Sequence, residues 1–211
     1  MGPGRRRALG AGSKGEMMKR RSLLLIAALF FAGVAGGAGA AGAPDVREIK
    51  PKKATLFSRQ TYKGKYEGYG RAAFSFEHGV RSDVGVQAPR NDYDLEYGNI
   101  SLGGDSDWLT VSMVTDDRSR IKDLGEMGWP EVYHVPVLPA GPEPWKGIRF
   151  PKAGESFEES SDGQVTRAVQ GHIYVVHTKD SDTDLYAMFR VDALVPNDRC
   201  VISWKVVPSP E

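Results

Sequence analysis

The chain has 211 residues, 28 Lys and Arg against 27 Asp and Glu, and one cysteine. That length suits a single domain, and 40% apolar with 26% charged residues suits a globular chain rather than a disordered or fibrous one. One cysteine excludes a disulfide scaffold and a multi-cysteine zinc site within one chain.

Residues 1–16 do not fit an export signal of ordinary length. Lys14-Gly15-Glu16 stands just before Met17-Met18 and reads as a purine-rich bacterial ribosome-binding stretch translated as protein. The expectation is a mis-assigned translation start over 1–16, with a long basic leader as the alternative. Residues 17–40 then have the three parts of a signal peptide: Lys19-Arg20-Arg21, an apolar run from Leu23 to Val34, and the small residues Ala38-Gly39-Ala40. A retained anchor would need about 20 strongly apolar residues, and the second half here is Gly and Ala. Arg20-Arg21-Ser22-Leu23-Leu24 also resembles the twin-arginine motif, so the export route stays open.

Cleavage changes the charge balance. Residues 1–40 hold seven basic residues and one acid, so 41–211 carry a net charge of −5. An acidic domain disfavours nucleic acid as a partner. No stable membrane anchor remains after cleavage, and a periplasmic or secreted location is expected.

Residues 41–70 read as a lysine-rich lead-in with an edge strand around Thr55–Phe57, and 71–211 as the β-domain. Gly68-Tyr69-Gly70-Arg71-Ala72-Ala73 matches a dinucleotide fingerprint in letters only. Phe74-Ser75-Phe76 after it alternates like a strand, where the fingerprint needs a helix, so the glycines are expected to shape a turn. Tyr93, Leu95 and Tyr97 alternate, and the phase flips to Ile100 and Leu102 across Gly98, which predicts a β-bulge. Asn99-Ile100-Ser101 is a glycosylation sequon, expected to be unused in a bacterial protein. Trp108 stands opposite the inward Leu109, Val111 and Met113, and is either exposed or covering a second layer.

Asp117–Leu124, closed by Gly125 and capped by Asp116 or Asp117, predicts one short helix. Arg118 and Arg120 there are candidates to grip a carboxylate or a sugar hydroxyl, or else form a self-satisfied charged turn. Trp129 and Trp145 lie in loops beside proline, where binding residues often sit. With Trp108 they form the candidate aromatic contacts for a sugar; packing is the plainer role for each.

Residues 171–207 predict a three-stranded antiparallel meander. Leu185, Ala187, Phe189, Val191 and Ala193 face the core, as do Cys200, Ile202, Trp204 and Val206. The loop between its first two strands holds Asp180, Asp182 and Asp184. Alternate carboxylates can supply calcium ligands. Counted from Asp180, position 6 is Leu185 and position 12 is Val191, so the calcium-binding helix–loop–helix pattern is absent. A looser calcium site or a solvated hairpin tip remains.

The histidines His78, His134, His172 and His177 show no metal spacing, although a pair such as His134 with His177 is open to zinc or haem. Cys200, on an apolar face, is expected to be inert. No G-x-S-x-G elbow occurs.

The fold expected is all-β: an antiparallel β-sandwich or jelly roll with at most one short helix. The function expected is an exported, non-catalytic β-domain binding a glycan, small ligand or envelope protein. The alternatives are an exported hydrolase with carboxylate or metal chemistry, and an envelope assembly protein that pairs through a strand edge.

Overall fold

A computed structural model describes residues 45–62, 70–80, 93–111, 118–132, 134–141, 152–156, 159, 161–181 and 183–210. Its ten strands are β1 (Lys52–Phe57), β2 (Ala73–Ser75), β3 (Gly79–Val80), β4 (Leu95–Tyr97), β5 (Trp108–Val111), β6 (Arg120–Glu126), β7 (Val165–Arg167), β8 (His172–Lys179), β9 (Asp184–Val195) and β10 (Arg199–Val207). They form two antiparallel five-stranded sheets, in the orders β1-β10-β9-β8-β6 and β3-β2-β4-β5-β7. Short 3-10 turns occur at Val46–Glu48, Arg59–Tyr62 and Trp129–Glu131. Among the described residues, no helix is long and apolar enough to cross a membrane. The expected signal peptide lies outside the described residues.

The predicted meander is β8-β9-β10. Period-two alternation puts Tyr174, Val176, Ala187, Phe189, Val191, Cys200, Ile202 and Trp204 on one face. They share one apolar cluster with Phe74, Phe76, Leu95, Tyr97, Leu109 and Val111 of the small sheet. Tyr174 stacks on Phe189 at 4.9 Å, and Phe74 meets Trp204 edge to face at 5.1 Å.

Ala193 departs from expectation and is exposed. Val201 pairs with Ala193 but Ile202 pairs with Val191, so Asp192 is an extra residue in β9. This bulge flips the phase and turns Leu194 toward the core instead. Val206 is likewise exposed, while Val207 is buried on the opposite face.

That opposite face of the large sheet is also apolar. Ile173, Val175, Tyr186, Met188 and Val207 are covered by Val46, Val132 and the partly buried Met127, Trp129, Val135 and Leu138. Residues 127–132 and 134–138 therefore act as a strap across the sheet.

The expected helix at 117–124 is corrected. Residue 117 lies outside the described residues, and Arg120–Glu126 is strand β6, with Ile121 paired to Val176 and buried. Eight residues make a marginal helix alone, and pairing with β8 overrides the local signal. Gly125 has φ 87°, but it serves a register shift between Asp123 and Glu126 rather than a helix end. Asp123 Oδ1 accepts from Gly125 N at 2.7 Å and closes this kink.

Gly98 also differs from expectation: β4 pairs with β5 without a register shift and ends at Tyr97. Gly98 has φ 71°, and a Cβ there would lie 2.2 Å from Ser58 Oγ. The phase flip reflects two layers. Tyr97 enters the main core, whereas Ile100 and Leu102 pack with Trp108 and Val165 on the outer face. Strand β2 begins at Ala73, as the turn reading of the Gly-rich stretch requires, while Gly68 lies outside the described residues.

Candidate functional site: a cleft at the open edge

Each sheet has two edges. On one side β6 and β7 lie close, with Ile121 N donating to Gly163 O at 2.7 Å. On the other side, among the described residues, the edge strands are β1 and β3. A cleft of about 320 Å³ opens there, lined by Lys52, Lys53, Ala54, Phe74, Glu77, His78, Gly79 and Trp204. This volume lies at the small end of the range for ligand sites.

Register builds the cleft. In β1, Lys52, Ala54 and Leu56 pair with Trp204, Ile202 and Cys200, so all three point between the sheets. Leu56 is fully buried, Ala54 partly, and Lys52 is at the mouth. The Lys52 ammonium lies 4.8 Å from the Trp204 ring centroid. Such a contact at an exposed site is worth about 0.5–1 kcal/mol. Beneath it Trp204 is only 4% exposed, with Phe74 and Phe76 as its aromatic neighbours.

The β2–β3 turn forms the facing wall. Ser75 Oγ accepts from His78 N at 3.3 Å, and Gly79 takes φ 84° to bring the chain back. Glu77 and His78 are exposed on the rim, 3.5 Å apart. Lys53, on the outward side of β1, lies 3.5 Å from Asp192.

The residues chosen from sequence fall elsewhere and are not brought together. Trp108 is 8% exposed on the outer face of the small sheet, packed with Val165, Ile100 and Leu102, with the Arg167 guanidinium 5.6 Å from its ring. Of its two expected placements, the second layer is the one found. Trp129 lies across the large sheet's outer face, with Lys205 Nζ 4.6 Å from its ring centroid. Trp145 lies outside the described residues. The Arg118 side chain is exposed, and its backbone binds Lys179 O and Gly141 N. Arg120 is buried, donates to Ser119 O and Asp162 Oδ2, and lies tightly against Gly141. It holds the protein together and does not reach outward.

At the hairpin tip, Asp180 Oδ1 accepts from Thr183 N at 2.7 Å. Asp184 pairs with Lys179 and with His177, and Lys179 first, then His177, holds its carboxyl below the ordinary value. Asp182 lies outside the described residues. Among the described residues, no cluster of three or more His, Cys, Asp or Glu is placed to hold a metal. His134 is exposed, and both ring nitrogens of His177 face acceptors, Leu138 O at 2.8 Å and Asp184 Oδ1 at 3.0 Å.

Two buried carboxylates bear on the hydrolase alternative. Asp94 accepts from Phe76 N and Thr178 Oγ1, while Glu96 is held by Arg59. Burial raises the pKa of both. Their partners differ: Asp94 is engaged by Phe76 and Thr178, and Glu96 by Arg59. Cys200 is buried and its thiol is pushed up to about 12, chiefly by desolvation, consistent with an inert side chain.

No known family model, curated protein or solved structure matches the chain.

Sequence reasoning missed the cleft. Lys52 and Trp204 are far apart in the chain and meet only through β1–β10 register. The available signal was the alternation Lys52, Ala54, Leu56, which puts a lysine on an apolar strand face.

Proposed function

We propose that the chain is an exported β-sandwich domain that binds a small ligand, non-catalytically, in the cleft between β1 and the β2–β3 turn. The observation that carries this reading is the cleft itself: an aromatic floor at the open edge of the shared core, rimmed by polar side chains. An apolar floor with a few convergent polar groups is the usual build of a small-ligand site. Export is supported by the pattern at 17–40, and the sandwich by two sheets contributing to one apolar cluster.

The test is a thermal-shift screen of the purified full chain against mono- and disaccharides, sugar acids and aromatic acids. Each hit is repeated with Lys52→Ala and His78→Ala, both exposed on the rim. A hit weakened tenfold or more by either variant supports the reading. A screen with no hits, or hits that neither variant affects, contradicts it.

A further inference from the structure

We infer that the cleft selects a ring bearing a carboxylate, with the ring against Trp204 and the acid on Lys52. This rests on the ligand-binding reading above and names the ligand's chemistry. Three observations point the same way.

Charge is the first. Residues 41–211 carry a net charge of −5, yet the cleft is lined by two lysines, Lys52 and Lys53, against one acid, Glu77, which lies beside His78. A local positive patch on an acidic domain attracts anions where the domain as a whole repels them.

The placement of Lys52 is the second. It points between the sheets, over the Trp204 indole. The cation–π contact that holds it there is worth only about 0.5–1 kcal/mol, so a ligand ring can take the ammonium's place on the indole. The displaced ammonium then has a carboxylate on that same ring as its partner. A neutral ring would displace the lysine without offering it a new contact.

Edge geometry is the third, and it decides between ligand types. An inward-pointing lysine with another lysine beside it blocks addition of a peptide strand to β1. This disfavours an extended peptide and leaves the compact ring acid to which the lysine and the indole point. Sugar acids and aromatic acids share this chemistry, and the experiment separates them.

Full-length protein is titrated by calorimetry with galacturonate against galactose, and with benzoate against benzyl alcohol. The acid of at least one pair is expected to bind ten times tighter than its neutral partner, and the winning pair identifies the source of the ring. Lys52→Gln should abolish that preference, and Lys53→Gln should reduce it less, because Lys53 already faces Asp192. Acid and neutral members binding equally, with both lost in His78→Ala, would overturn the carboxylate inference and leave the cleft reading intact. Binding of an acidic peptide with protection of β1 amides, and of no ring acid, would overturn it in favour of strand addition. Binding of none of these probes or of any screened ligand would remove both.

Discussion

Replacing Asp94 with alanine should destabilise the domain far more than an ordinary surface substitution. The Asp94 carboxylate accepts from Phe76 N at 2.8 Å and from Thr178 Oγ1 at 2.7 Å. Phe76 follows β2 of the small sheet and Thr178 belongs to β8 of the large one, so one side chain ties the two sheets. Phe76 and Thr178 are both buried. Asp94→Ala leaves two donors without partners, at about 1–3 kcal/mol each. Removing a carboxylate whose ionised form is penalised by burial offsets part of this, so a net loss of about 2–4 kcal/mol is expected. For a domain of this size that lowers Tm by about 4–16 °C. The assay is thermal unfolding followed by circular dichroism at pH 7, with Thr178→Val and the double variant completing a mutant cycle. The pH dependence has a definite sign. Burial raises the native pKa of Asp94 above 3.8, so between 3.8 and the native value the folded state binds more protons than the unfolded one. The carboxyl's contribution therefore falls as pH rises through that window and is level above it. The deficit of Asp94→Ala should be larger at acid pH than at pH 7. A Tm within 2 °C of wild type, the shift of an ordinary surface substitution worth about 0.5 kcal/mol, or a deficit that grows with pH, would refute the reasoning.

Arg59→Ala should cost about 3–5 kcal/mol in urea unfolding, because it leaves the buried Glu96 carboxylate without Arg59 Nη1, which donates to both its oxygens. Burial has already raised the Glu96 pKa, so loss of the guanidinium should raise it further and extend the pH range over which stability falls. Gly98→Ala should lower Tm, since the residue has φ 71° and its Cβ would collide with the buried Ser58; Gly98→Ala combined with Ser58→Gly should recover part of the loss. Cys200 should resist thiol reagents in the folded protein and label at the rate of a free thiol in denaturant; rapid labelling under native conditions would contradict its burial.

The parts of the fold legible in the sequence are those where local pattern and long-range contact agree. Tyr174 to Val176, Ala187 to Val191 and Cys200 to Trp204 alternate cleanly because one face meets the small sheet. Ala193 broke the pattern because a bulge at Asp192 depends on register with β10, which no local signal carries. Asp117–Leu124 carries an acid at its start and a glycine after it, the marks of a helix, but Arg120–Glu126 is a strand because it pairs with β8. Trp129 and Trp145 are candidates because they lie in loops, and Trp108 because it stands opposite an inward strand face, with packing the plainer role for each. Trp129 covers an apolar sheet face together with the strap, and Trp108 covers another. The cleft joins residues from both ends of the domain, so its chemistry existed only once β1 was paired with β10.

The account rests on a ligand occupying the mouth between β1 and the β2–β3 turn. Amide and indole NMR of the labelled full chain, titrated with the tightest ring ligand from the screen, tests this most directly. The account predicts shifts centred on Lys52–Ala54, Phe74, Glu77–Gly79 and the Trp204 indole, saturating with the affinity measured by calorimetry. Shifts centred on the strap around Trp129 or on the Trp108 face, with the cleft residues unmoved, would contradict it.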